Sequence, residues 1–285
     1  MTNELYQEAW FVDEYRAETE AFYREFFPSD KKMQEFFTRI FKMQLKEAGR
    51  TYSRAPRLMM DQIRRFVSLA NGIPEDQQGK DSLRMMFFRL CLESCWQLSG
   101  EGVVGHFLEE YIDCMPEEGR AYIRDHFLLD SIIQISKEDS MKDPLGRKDC
   151  ITNIPFSIQD FFRLMDYVRN GLVEEGNTWD LQFFEGTESY QSFTRFTTGK
   201  WILLAPNPVV RELTPDDSTE RTYFFFSTMQ YPVFMEYFVK GCINFVCAYM
   251  DQLESDKRNE SNTKKPQPLF KTQKQTVGWG TGNVH

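Results

Sequence analysis

The internal histidines are the first residues to consider for chemistry, because each lies close to carboxylates. His106 and Glu109 are three residues apart in a predicted helix, and His126 directly follows Asp125. Histidines and carboxylates on two packed helices can bind a metal ion. However, the chain has no Glu-x-x-His pair of the di-iron kind and no His-x-x-x-His pair of the zinc kind. We therefore expect no metal site and no cofactor.

An arginine and a histidine delimit a second candidate site, the segment Arg120–His126, which reads RAYIRDH. Arginine is a permanent cation that could stabilise a pentavalent phosphate, and histidine can transfer a proton near neutral pH. The pair resembles the short Arg-to-His motif of HEPN-type ribonucleases, whose helical fold would suit the first half of the chain. The resemblance covers seven residues, and it implies metal-independent RNA cleavage by Arg120 and His126.

The spacing does not favour other catalytic arrangements. Cys91 and Cys95 lie on an apolar helical pattern, where burial raises the pKa of a thiol and makes it inert. The chain lacks a nucleophile elbow, a Walker loop and a Rossmann fingerprint, and no predicted helix follows the glycine-rich run at 278–282. We therefore predict no catalytic residue, and an enzyme is the less favoured class.

Basic residues between Lys46 and Arg65 could bind an anion. Only Glu47 and Asp61 interrupt them with negative charge, so the surface could bind an acidic partner, a phosphate or RNA. The candidate anion-binding residues are Arg50, Arg54, Arg57, Arg64 and Arg65. The alternative is structural, because Arg57, Asp61 and Arg65 are spaced four apart and can pair along the solvent face of a helix.

The C-terminal tail, residues 255–285, differs in charge from the rest of the chain. It has six basic and two acidic residues, a net charge of +4, whereas the other 254 residues carry −13 of the total of −9. Apolar residues interrupt this polar segment, and four of them are candidate partner-binding anchors: Leu269, Phe270, Val277 and Trp279. Short segments of this kind dock onto a partner groove or a sheet edge. The alternative is an untethered terminus without a binding role.

Composition narrows the class of protein and its compartment. The chain has 285 residues, of which 41% are hydrophobic and 27% charged, so it can bury a core. The net charge of −9 argues against a general nucleic-acid coat, although nucleic-acid binding is not excluded. The chain has six cysteines and we recognise no export signal, a combination that favours a cytoplasmic location. Polar residues interrupt the apolar segment at 223–250, so we expect a buried helix there and no membrane insertion.

The elements that hold these residues are predicted to be mostly helical. Periodicity, caps and breakers predict six helices in the first half, over residues 4–27, 29–49, 56–70, 82–98, 102–114 and 116–136. Ser157 and Asp160 form a predicted capping box for a helix that extends to Asn170. Two to four short strands are expected between residues 193 and 226, including a hairpin turn at 197–200. A very apolar helix follows at 232–253.

The predicted fold class is therefore mainly α, with three parts. Residues 1–140 form a helical bundle, residues 151–254 form a mixed α+β segment that could be continuous with it, and residues 255–285 form a disordered basic tail. The favoured function is a non-enzymatic adaptor or structural protein that assembles with protein partners, partly through its tail. The alternatives are the HEPN-like ribonuclease and an RNA- or phosphate-binding protein that uses the Arg50–Arg65 surface. The sequence leaves the oligomeric state open.

Overall fold

The computed structural model describes residues 17–44, 53–100, 104–136, 149–152, 157–170, 182–184 and 219–262. Within these ranges the protein is mainly helical. Helix α1 covers residues 17–23 and continues into a 3-10 turn, Arg24–Phe26. The other helices are α2 (Asp30–Gln44), α3 (Ala55–Asn71), α4 (Lys80–Ser99), α5 (Val104–Cys114), α6 (Glu117–His126), α7 (Ile158–Asn170) and α8 (Tyr231–Asn262). The strands are β1 (Phe127–Ser136), β2 (Asp149–Thr152) and β3 (Thr219–Ser227).

Helices α2 and α3 follow the predicted pattern closely. The Ser29 hydroxyl accepts a hydrogen bond from the backbone N–H of Lys32, at 3.3 Å, which caps α2 as the sequence predicted. Buried residues recur every three or four positions on both helices: Met33, Phe36, Ile40 and Met43 on α2, and Met59, Ile63, Val67 and Ala70 on α3. This spacing gives each helix one apolar face, which packs into the core.

Helix α4 is buried on most of its circumference, as its continuous apolar sequence predicted. It begins at Lys80, two residues before the predicted start at residue 82. The N-cap is Gly79, whose φ of 71° lies in the left-handed region that a residue without a Cβ adopts at little cost. Asp81 therefore lies inside the first turn, where its buried side chain is free to pair with Arg84 one turn later.

The prediction of a helix from residue 116 to about residue 136 is wrong in its second half. Helix α6 ends at His126, and the chain continues directly into β1. β1 is the central strand of an antiparallel sheet with the order β2-β1-β3, in which Phe127 pairs with Ser227 and Ser136 pairs with Thr219. The sheet partner lies about ninety residues away, so local periodicity cannot reveal it. The helical bundle predicted for residues 1–140 thus contains a strand.

The short aromatic strand expected near 222–226 is confirmed as part of β3. The hairpin predicted at 197–200 lies outside the described residues. The capping box before α7 is also confirmed, because the Asp160 carboxylate accepts the Ser157 N–H at 3.0 Å and the Asp160 N–H donates to the Ser157 hydroxyl at 3.2 Å.

Helix α8 lies at the centre of the packing. It contacts α3, α5 and α6, while α7 packs against α4. Buried residues of the two predicted parts, 1–140 and 151–254, form one hydrophobic core. The helix continues to Asn262, so the tail expected to start at 255 begins with two further helical turns. The segment Tyr231–Ser255 is long and apolar enough to span a membrane by length and composition alone, and half of its most apolar window is buried in the core.

Candidate functional site: the exit of helix α8 and the cleft beside it

Helix α8 connects the middle of the core to the C-terminal tail without a break. Phe234, Phe238, Val246 and Met250 are fully buried, and Met250 is the last of them. The next two residues are exposed, and the helix extends twelve residues beyond Met250 to Asn262. At 1.5 Å per residue, these twelve residues span about 18 Å. We call Asp251–Asn262 the exit segment of α8.

An ion-pair cluster fixes the helix at the point where it leaves the core. The Arg39 guanidinium, on α2, lies 2.6 Å from the Asp251 carboxylate and 3.1 Å from the Glu254 carboxylate. The Arg39 side chain is about 30% exposed, whereas the Asp251 and Glu254 side chains are 70% and 40% exposed, so water weakens both pairs. Two carboxylates one turn apart therefore direct the exit segment relative to α2.

A cleft of about 240 Å³ opens beside the last core turns of α8. Its lining comes from the end of α4, from α5 and from α8: Ser99, Glu110, Asp113, Cys114, Phe245, Ala248, Tyr249 and Gln252. A hydrogen bond from the Asn244 side-chain amide to the Cys114 carbonyl, at 2.9 Å, ties α8 to α5 there. We call this space the α5–α8 cleft.

The cleft combines an apolar interior with negative charge. Phe245 is buried, Cys114 and Tyr249 are half-buried, and Glu110 and Asp113 are exposed. Burial, followed by the nearby charges of Asp113 and Glu110, raises the pKa of the Cys114 thiol to about 11. This thiol is therefore protonated at neutral pH and is a poor nucleophile. The cleft thus has an apolar interior bordered by two exposed carboxylates.

The structure gives Arg120 and His126 different neighbours. The Arg120 guanidinium lies 2.6 Å from the Glu117 carboxylate and donates to the Ile112 carbonyl at 3.4 Å. His126 Nδ1 lies 2.7 Å from the Thr228 hydroxyl, and six helical residues turn the two side chains about 120° apart. The two residues therefore serve different contacts, one to α5 and the other to the residue after β3.

The predicted basic surface is partly used within the fold. Arg64 pairs with Glu18 of α1 at 3.1 Å, a contact between helices that the sequence did not suggest. Arg54 and Arg65 are exposed, and Arg57 is half-buried. Arg50 lies outside the described residues. The described part of this surface consists of Arg54 at the N-cap of α3 and of Arg57, Arg64 and Arg65 along the helix.

Two buried groups that the sequence did not single out are structural. Asp81 and Arg84 pair at 2.9 Å with almost no exposure, and Asp81 also accepts the backbone N–H of Phe183 at 2.8 Å. Burial raises the pKa of Asp81 although both contacts favour its charged form. The sequence signal for this pair was an acidic and a basic residue three positions apart in an otherwise apolar helix.

Three thiols meet in the core: Cys91, Cys95 and Cys242. All are buried. Burial raises the pKa values of Cys91 and Cys242, and a hydrogen bond with Cys91, followed by burial, raises the pKa of Cys95, so these cysteines behave as small apolar residues. Within the described ranges, no group of three His, Cys, Asp or Glu side chains could hold a metal ion. His106 lies on α5, in the described backbone.

The predicted tail anchors Leu269, Phe270, Val277 and Trp279 lie outside the described residues. The structure defines the exit segment that leads to them, but it does not describe the anchors themselves. Comparison of the chain with protein-family models, with curated proteins and with solved structures gave no match.

Proposed function

We propose that this protein is a non-enzymatic adaptor or structural component that assembles with protein partners in the cytoplasm, using its C-terminal tail as a docking segment. The observation that carries the proposal is the continuity of α8, whose buried part and exit segment are one helix. A tail attached in this way starts at a defined point about 18 Å beyond the last buried residue of that helix.

The chemistry of the described residues supports a binding role over catalysis. The buried Asp81 carboxylate pairs with Arg84 within α4 and accepts the Phe183 N–H, and the pair Arg89–Asp166 joins α4 to α7. The buried thiols have raised pKa values, which disfavours the thiolate that a nucleophile needs. These groups are accounted for by the packing of the protein.

The tail has the apolar anchors and the net charge that a docking segment needs. Its four anchors are two aliphatic and two aromatic residues, and large aromatic residues dominate the energetics of protein interfaces. Its net charge of +4 on a body of −13 would favour an acidic partner surface and speed the encounter.

Affinity co-purification from the source organism tests this proposal with the full chain. The wild type is compared with an anchor variant, in which Leu269, Phe270, Val277 and Trp279 are replaced by Ala. The matched control replaces four polar tail residues by Ala: Gln267, Thr272, Gln275 and Thr276. We expect a partner that the wild type and the control retain and the anchor variant loses. An identical set of proteins bound by all three would contradict the proposal.

The RNA-binding alternative is tested with the same protein. Arg54, Arg57 and Arg65 lie along α3 and would have to contact phosphates. Such binding weakens steeply as salt is raised, because it releases condensed counterions. Single-stranded RNA that binds at 50 mM salt, weakens as salt rises, and is lost in an Arg54→Ala/Arg65→Ala variant would favour this alternative over the adaptor.

A further inference from the structure

The α5–α8 cleft opens beside the exit segment that leads to the tail. Phe245 and Tyr249 supply aromatic lining from α8, while Glu110 and Asp113 supply acidic side chains from α5. Lysine and arginine are absent from the described residues that line the cleft. Its volume of about 240 Å³ lies below the range of roughly 300–1,000 Å³ that is usual for pockets of drug-sized ligands and cofactors. A short peptide segment fits this space better than a cofactor does.

The tail is long enough to reach this cleft. Asn262 is fourteen helical residues after Ala248, which corresponds to about 21 Å. An extended chain covers about 3.3 Å per residue, so Leu269 and Phe270 can lie about 23–26 Å from Asn262. A tail that turns back at Asn262 can therefore bring these two residues to the middle of the cleft.

The sequence around Leu269 and Phe270 complements the cleft. Lys264 and Lys265 precede the pair, and Lys271 and Lys274 follow it. Prolines at 266 and 268 restrict the residues before them to extended conformations, which lowers the entropy lost on docking. The segment thus offers two apolar side chains flanked by positive charge to an apolar space flanked by negative charge.

We propose that the tail segment 264–274 of this chain folds back and occupies its own α5–α8 cleft, with Leu269 and Phe270 against the aromatic lining. This inference rests on the proposed function, because the same two residues serve there as partner anchors. The cleft then holds the anchors in the free protein, and a partner must displace them. While the tail occupies the cleft, a partner cannot bind it. The apparent affinity for the partner therefore falls in proportion to the fraction of chains whose tail is free.

Zero-length carbodiimide cross-linking of the full chain tests the inference, because this reagent joins a lysine amine to a carboxylate in contact with it. Cross-links are mapped by mass spectrometry on an equal mixture of isotope-labelled and unlabelled protein. We expect links from the tail lysines to Glu110 or Asp113, formed within one chain. The pair Lys80–Glu75, at 2.7 Å, is the internal positive control.

Charge reversal supplies the matched variants. Asp113→Lys should lower the yield of links between the tail and Glu110 by about fivefold or more, because an attraction becomes a repulsion. Asp125→Lys makes the same change in charge at an exposed position on α6, outside the cleft, and should leave the yield unchanged. A Leu269→Ala/Phe270→Ala variant should lose the links although all of its lysines remain.

Three results would overturn the inference. The first is the absence of links between the tail and the cleft while the Lys80–Glu75 link forms. The second is linking only between labelled and unlabelled chains, which would assign the tail to a second copy. The third is an equal loss of links in Asp113→Lys and Asp125→Lys, which would indicate a diffuse charge effect. None of these results bears on whether the anchor variant loses a partner, so the two proposals fail separately.

Discussion

Removing the Asp81 carboxylate should destabilise the protein strongly, because it would leave two buried groups without their partner. The Asp81 and Arg84 side chains are only 3% and 4% exposed and lie 2.9 Å apart. Breaking a buried pair from one side costs about 3–5 kcal/mol, and an orphaned backbone N–H at Phe183 adds about 1–3 kcal/mol. Arg84 keeps Glu75 at 2.7 Å, which offsets part of this loss. We expect Asp81→Ala to lower the free energy of unfolding by about 4 kcal/mol.

Urea unfolding followed by far-ultraviolet circular dichroism measures this loss as a lower midpoint with an unchanged slope. Asp76→Ala is the control, since Asp76 is an exposed carboxylate just before α4 and its removal should change stability by less than about 0.5 kcal/mol. A double variant, Asp81→Leu/Arg84→Met, should lose less than Asp81→Ala, because it leaves the Phe183 N–H without its acceptor but no uncompensated buried charge. Equal effects of Asp81→Ala and Asp76→Ala would refute the reasoning.

Three further predictions concern α6 and α7. A Cβ at Gly119 would lie 2.9 Å from Cβ and Cγ of Tyr237, so Gly119→Ala should cost about 1–2 kcal/mol in urea unfolding despite the better helix propensity of Ala; a gain in stability would contradict this packing. Ser157→Ala removes the hydroxyl that caps α7 with Asp160 and should cost about 1 kcal/mol in the same assay, whereas an unchanged midpoint would contradict the cap. Hydrogen bonds from two arginines of α6 lower the pKa of Glu117 below its ordinary value of 4.5. Its contribution is therefore present above pH 4.5 and is lost as the pH falls through the folded value, so Glu117→Gln should weaken the acid dependence of stability below pH 4.5. An identical acid profile of the two proteins would contradict it.

The parts of the fold that the sequence predicted are those set by local chemistry. The apolar periodicity of α2 and α3, the serine cap at Ser29 and the capping box at Ser157 each depend on residues within one or two turns. Such signals remain readable without knowledge of distant contacts. The mainly helical fold class follows from them.

The parts that the sequence missed depend on distant partners. β1 was mistaken for the end of a helix because its pairing with β3 joins Phe127 to Ser227, one hundred residues away. Its isoleucines suit a strand as well as an apolar helix, so only the partner strand decides between them. The extent of α8 was also missed, because residues 255–262 are polar and carry no apolar stripe that would predict a helix.

Only one part of the candidate site, the set of tail anchors, could be predicted from the sequence. Composition and charge singled out the tail anchors, because an apolar cluster in a polar, basic segment is visible in the sequence alone. The α5–α8 cleft was not predictable, since residues near positions 99, 113 and 248 meet there only through the packing of three helices. Arg120 and His126 were proposed from spacing, whereas the neighbours of each depend on α5 and on the end of β3.

The most direct test of the adaptor proposal is the dissociation constant of the co-purified partner for the full chain and for Phe270→Ala/Trp279→Ala, measured by isothermal titration calorimetry. Aromatic anchors at an interface contribute about 2 kcal/mol or more each, which sums to about 4 kcal/mol, so the double variant should bind roughly 700-fold more weakly. The polar control Gln267→Ala/Gln275→Ala should bind as the wild type does. Equal dissociation constants for all three proteins would contradict a docking role for the tail.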